Sequence, residues 1–220
     1  KRSSTGDDTE EVDFIIGQNF LITVHYQIVE GLTEFARIFG VHYFKERRGR
    51  SSKLHAGYIF YYLMKHLYGS LSSGLDYING VLKQAERKIF AGEERAMVQL
   101  LSSVNRNLFD FRWALKTHRQ LLDSLIIAGH EFFGENFKYY LAAIVGEYEK
   151  IWNMLESNRE TFLDLHKTND SLLSIKTNET IKALTVLAFI FFPITIVTQF
   201  FGMNTSLPLV GSPGDYLAVI

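Results

Sequence analysis

The chain has 220 residues, a formal net charge of −1 and no cysteine. That charge gives no electrostatic case for nucleic acid, and the missing thiols exclude disulfides, zinc–thiolate sites and cysteine nucleophiles. Sixteen glycines but only three prolines, all at or beyond Pro193, suit long uninterrupted helices better than a turn-rich β protein. Mean hydropathy is +0.01, so a balanced body must offset one very apolar end.

The opening KRSSTGDDTEEVD has no apolar core and is not a signal peptide. VDFIIG (12–17) and FLITVHY (20–26) are β-branched and aromatic, and the spacing predicts two strands of a hairpin around Gly17-Gln18-Asn19. GLTEFARIFG (31–40) predicts a short helix, and KERRGRSSK (45–53) a basic, solvated linker.

From Lys53 to Phe90 the spacing turns helical, through Leu54, Tyr58, Tyr61, Tyr62, Lys65, Leu67, Leu71, Leu75, Ile78 and Leu82. Gly69 and Gly74 weaken its middle. Ala91-Gly92 breaks the pattern, and Glu93-Glu94 places acids in a new first turn. A second helix then runs to Phe133 through Met97, Leu100, Leu101, Val104, Leu108, Phe111, Leu115, Leu122, Leu125 and Ile126. The two read as an antiparallel helical hairpin.

Gly134 stops that hairpin, and no convincing stop follows between Glu135 and Phe201. One continuous helix there would be about 100 Å long at 1.5 Å rise per residue. Its first part is amphipathic, with Leu141, Ile144, Tyr148, Ile151, Trp152, Leu155 and Phe162 as the apolar positions. Its last part, ALTVLAFIFFPITIVTQFF (183–201), is apolar nearly all round and matches a bilayer core of about 30 Å. No Asp, Glu, Lys or Arg occurs from Ala183 through Gly214. Lys176 and Lys182 precede the span and mark that side as cytoplasmic. Tyr216-Leu-Ala-Val-Ile220 reads as the start of a second apolar run, cut short.

The expected organisation is therefore a mainly α membrane protein with a partial α/β cytoplasmic domain. Its parts are 1–50 as the end of that domain, 51–133 as a cytoplasmic helical hairpin and 134–180 as a stalk helix. They continue with 181–201 as transmembrane helix 1, 202–215 as an extracytoplasmic loop and 216–220 as the truncated start of helix 2.

Within the span, Ile181, Leu184, Ala188, Phe192, Thr195, Gln199 and Gly202 recur at spacings of three and four and share one stripe. A helix–helix seam has the same spacing. The stripe grades from apolar at the cytoplasmic end to polar at the far end, the pattern of a pore gated by apolar constrictions. Pro193 frees the carbonyl of Phe189. Gly202-Met203-Asn204 reads first as a helix cap, since glycine and asparagine tolerate left-handed geometry.

With its upstream helix, Phe201-Gly202-Met203-Asn204 resembles the aromatic-Gly-Met-Asn motif of the CorA family of divalent-cation transport proteins. IKALTVLAFIFFPITIVTQF and GQNFLITVHY also look like that family. The resemblance implies a homopentamer in the inner (plasma) membrane, multi-pass, with its N-terminal bulk in the cytoplasm. Five first-span helices would line a pore for passive conduction of hydrated magnesium, with cobalt or nickel as further cargo. Gly202, Met203 and Asn204 would form the selectivity motif, with Asn204 meeting the metal through ion-bound water. Asn178 matches an asparagine that lines the family's pore, and Thr195 a polar pore position. A ring of neutral oxygens suits an ion that sheds its waters reluctantly and must still leave. Mg2+ is thus expected as cargo and as a regulatory ion, with no organic cofactor.

Two departures stand out. In many members the loop after the motif carries glutamates, whereas here TSLPLVGSPGD has Asp215 as its one acid. The family's stalk aspartate site corresponds to DLHKTND, where Lys167 sits between Asp164 and Asp170, the candidate regulatory residues. Glu149, Glu156, Glu160 and Asp164 form an acidic strip typical of a solvated helix face. The seven histidines form no HxxxH or HExxH set, and no phosphate loop, nucleophile elbow or catalytic dyad points to an enzyme. Two alternatives stay open: the same fold carrying zinc, as in the ZntB branch, and a non-conducting membrane-anchored helical scaffold or sensor.

Overall fold

The computed structural model describes residues 11–46 and 56–202. Two strands, β1 (Val12–Ile16) and β2 (Leu21–His25), are followed by α1 (Glu30–Glu46), α2 (Ala56–Phe90), α3 (Glu94–Leu115) and α4 (His118–Phe133). A 3-10 turn at Glu135–Phe137 leads into α5 (Lys138–Gly202), 65 residues long. The chain divides into two compact units between Asp170 and Ser171.

In the first unit β1 and β2 form an antiparallel hairpin in which Val12 faces His25 and Ile16 faces Leu21. Alternation puts Val12, Phe14 and Leu21 on one face, packed with Val29, Leu32, Phe35, Leu63 and Leu67. Phe14 meets Phe60 of α2 edge-on at 5.5 Å, and the Ala56 amide donates to the Gln18 carbonyl. The hairpin is thereby fixed to α1 and the start of α2. The first helix continues to Glu46, beyond the expected end at 40, because Gly40 carries no break. The basic stretch after it lies mostly outside the described residues.

The rest of this unit is a bundle of α2, α3–α4 and the first half of α5. Leu75, Ile78, Leu82, Ala85 and Ile89 of α2 are buried at alternating spacings of three and four. So are Leu141, Ile144, Tyr148, Ile151, Leu155, Asn158, Phe162, Leu165 and Asn169 of α5. That 3.5-residue period is a coiled-coil seam. Contacts fix the directions. Tyr61 meets Tyr140, Ser72 meets Met154 and Asn79 meets Asn158, so α2 and α5 run parallel. Arg112 meets Glu156 and Arg119 meets Glu149, so α3–α4 runs against α5.

One seam position is polar and satisfied. Asn158 donates to the Leu75 carbonyl at 2.8 Å and accepts from Asn79 Nδ2 at 3.0 Å. A buried amide held from two sides disfavours any shifted register, in which it would lose both partners.

The turn between α2 and α3 is a Schellman stop. Gly92 has φ of +92°, its amide bonds to Ile89, and the Glu93 amide reaches back to Lys88. Gly134 also ends α4 at positive φ (+86°), with an extended ψ of 168° that favours glycine.

Two expectations need correction. The helix expected to run unbroken to Phe133 is two helices, parted at Lys116-Thr117 with no glycine, proline or side-chain cap. Beside the break His118 turns inward, its Nδ1 3.2 Å from the buried Tyr68 hydroxyl. In the first half of α2 the buried positions are Ala56, Gly57, Phe60, Leu63, Met64 and Tyr68, whereas Tyr62 and Lys65 face out.

The second unit contains the remainder of α5. Its residues from Glu179 to Gly202 are exposed in the single chain. Pro193 lies inside the helix without ending it.

Candidate functional site

The apolar part of α5 is long and apolar enough to cross a membrane, with a mean hydropathy of 2.1 in its 18-residue window and none of that window buried. Leu184, Phe189, Phe192 and their neighbours are each half or more exposed. Such a continuous apolar surface is untenable in water and calls for lipid or other protein around it.

At about 100° per residue, Ile181, Leu184, Ala188, Phe192, Thr195, Gln199 and Gly202 fall within an arc of roughly 80°, with Asn178 some 40° beyond it. The helix thus brings the expected stripe onto one face. From Ala183 to Gly202 the opposite face carries Val186, Ile190 and Val197 and no polar group; Glu179 lies on it before the apolar segment begins.

The hydroxyls on this segment are oriented by the helix itself. Thr195 Oγ1 donates to the Phe191 carbonyl at 2.9 Å, Thr198 to Ile194 at 3.0 Å and Thr185 to Ile181 at 2.8 Å. A threonine that spends its proton on its own backbone presents oxygen lone pairs outward. Thr195 is therefore an acceptor on the stripe, the polarity that cation-bound water requires. Among the described residues the Gln199 amide has no hydrogen-bond partner.

Gly202 is the last residue of α5 and does not adopt the left-handed conformation expected of a cap; among the described residues the positive-φ glycines are Gly92 and Gly134. A Cβ built on Gly202 meets nothing within 4 Å. Met203, Asn204, the loop to Asp215 and residues 216–220 lie outside the described residues.

The stalk acids stand apart from this stripe. Asp164 and Asp170 are exposed in the first unit, and Asp170 lies 3.6 Å from His166 Nε2 one turn back. Among the described residues no three His, Asp or Glu side chains converge as a metal site. Sequence reasoning missed the Tyr68–His118–Tyr148 cluster of the bundle, in which both tyrosines are buried and His118 is half-buried. Burial lowers the His118 pKa from its usual value and raises those of both tyrosines. No motif spacing links these three residues, so no local signal marked them.

A helical bundle in the first unit and a bare apolar helix in the second are the pattern of a chain with a membrane segment. Comparison with known proteins makes the class specific. The CorA-like Mg2+ transporter protein family model matches residues 1–220, and the chain belongs to that family. It is 28% identical over 157 residues to the cobalt/magnesium transport protein CorA of Thermotoga maritima, covering 71% of this chain and 45% of that protein. It is 24% identical to the protein of the same name from Methanocaldococcus jannaschii, covering 96% of this chain and 66% of the relative. The solved complete structure of the CorA magnesium transporter from that organism superposes with a TM-score of 0.70 at 19% identity. That match covers 96% of this chain and 73% of the other, and it shows the shared fold. The chain thus spans about half to two thirds of the length of these curated relatives.

Proposed function

We propose that the chain is the body and first transmembrane helix of a homopentameric channel for hydrated magnesium, with cobalt as a second cargo. The observation that carries the reading is the stripe on α5. Five copies facing one axis would surround it with Ile181, Leu184 and Phe192 as apolar constrictions, then with Thr195 and Gln199 as acceptors. Asn178 would lie at the cytoplasmic end. Gly202, Met203 and Asn204 would follow at the outer mouth, where five Asn204 amide oxygens meet the water shell of the ion. Neutral oxygens hold such an ion weakly enough to release it, and magnesium keeps several of its waters in most protein sites.

The names of the curated relatives support the choice of cargo, since both are cobalt/magnesium transport proteins. The protein would reside in the plasma membrane, with residues up to Lys182 in the cytoplasm and a second span completing the fold. Asp164 and Asp170 are kept as candidate regulatory residues, Asp170 through its contact with His166.

The test is flux into proteoliposomes. Asn204→Ala should abolish magnesium entry while native mass spectrometry still finds pentamers. Normal entry through that variant overturns the reading, and zinc flux exceeding magnesium flux in the wild type reassigns the cargo.

A further inference from the structure

The first unit contains a cleft that the channel reading does not use. It has a volume of about 730 Å³ and lies where α3 gives way to α4 opposite α5. One wall is Phe109 and Trp113 of α3, one turn apart, with rings 19° from parallel and centroids 6.4 Å apart. The other is Tyr148 and Trp152 of α5, 26° from parallel at 6.2 Å. Phe109 and Trp113 are 63% and 64% exposed, although the bundle buries smaller apolar side chains almost completely. Exposed aromatic faces lining a concavity of this size are the usual signature of a small-molecule site.

The polar groups at the cleft are mainly cationic. Arg112, Lys116 and Arg119 line it against a single acid, Glu149. Arg112 and Arg119 are already held by carboxylates, Arg112 by Glu156 at 3.5 Å and Arg119 by Asp123 and Glu149 at 3.2 and 2.6 Å. Those pairs hold both guanidinium groups in place. Lys116 has no partner among the described residues. Glu149, Asp123 and Glu156 match the three cations in number, so what the cleft offers an anion is the one cation outside an ion pair, Lys116, together with the guanidinium donors of Arg119 that its carboxylates leave unused, beside four aromatic rings.

We propose that this cleft binds a planar aromatic anion of the nucleotide class, with its ring against Trp113 and Trp152 and its phosphate at Lys116 and Arg119. Stacking on tryptophan accepts any flat heteroaromatic ring, and a mobile ammonium beside a fixed guanidinium is a common pairing for phosphate oxygens. The inference does not rest on ion conduction.

Trp113 and Trp152 are the two tryptophans of the chain, so tryptophan emission, excited selectively over the eleven tyrosines, reports on this cleft alone. The full chain in detergent, in magnesium-free buffer, is titrated with ATP, with adenosine and with inorganic tripolyphosphate. ATP should give saturable quenching, and removing either half of the ligand should weaken binding about tenfold or more. Lys116→Glu should weaken ATP about tenfold with the helical circular dichroism unchanged, and Phe109→Ala should weaken adenosine and ATP alike. Absence of saturable quenching by ATP overturns the proposal. So does tripolyphosphate binding as tightly as ATP, which would mean a counter-ion only, or full affinity in Lys116→Glu. Tryptophan emission that follows protein concentration rather than ATP also overturns it and reassigns the cleft to contact between copies.

Discussion

The two halves of α5 obey different rules. From Leu141 to Asn169 its buried residues recur every 3.5 positions, and the intervening ones are polar. From Ala183 to Phe201 residues on all sides are apolar and none is buried within the chain. The first half finds its partners in α2 and α3, so its apolar surface is a narrow seam. The second finds none within the chain, so its surroundings must be apolar from every side except the stripe bearing Thr195 and Gln199. The same backbone is thus fitted to two solvents, and burial in one chain measures stability for the first half only.

A pair of substitutions would break that distinction if it were false. Leu155 is fully buried in the seam, and Leu155→Ala should destabilise the first unit by about 2–5 kcal/mol, through lost transfer energy and a cavity. Thermal unfolding of the detergent-solubilised chain should register it, while membrane insertion stays unchanged. Ile190→Asp, on the face opposite the stripe, should do the reverse. It should lower insertion by about 3 kcal/mol in a translocon assay and leave the unfolding of the first unit where it was. A common loss of stability from both would show that the two halves are one cooperative structure.

A smaller effect sharpens the boundary of the bundle. Gly92 holds a left-handed turn with φ of +92°, and the Schellman bonds depend on it. Gly92→Ala should cost about 1 kcal/mol, read as a lower unfolding temperature with unchanged flux.

Much of this was legible in the sequence, for physical reasons that also explain what was not. The β hairpin announced itself by β-branched residues around Gly17-Gln18-Asn19, and the stops at Gly92 and Gly134 by the need for positive φ. The extent of α5 followed from the absence of any stop signal. The break at Lys116-Thr117 was hidden because neither residue disfavours a helix. The start of α2 was misread because Tyr58, Tyr61 and Tyr62 make that stretch aromatic on several sides, and tertiary packing selected Phe60, Leu63 and Tyr68 instead. The stripe from Ile181 to Gly202 could be read from spacing alone. The inward-donating Thr195 hydroxyl could not, since a threonine can equally turn its proton outward.

The least expected effect concerns pH and the cluster that spacing did not reveal. His118 packs against Tyr68 of α2 and Tyr148 of α5, with ring centroids 6.1 and 6.4 Å away. Arg119, Asp123 and Glu149 are the charged groups acting on Tyr148. Burial lowers the His118 pKa, so the fold holds the ring neutral while the unfolded chain takes up its proton near pH 6.5. The unfolded state then binds more protons as pH falls, and linkage makes the stability of the first unit decline below about pH 6.5 until the folded ring also titrates. Above that pH this histidine contributes no slope. Unfolding temperatures measured between about pH 7.5 and 5 should fall for the wild type more than for His118→Gln, which removes the titrating group while keeping a polar side chain near the Tyr68 hydroxyl. Identical slopes in the two proteins would show that His118 is not the source of the acid sensitivity. A difference confined to the acid side would tie it to His118 at the start of α4, where the ring packs between Tyr68 and Tyr148.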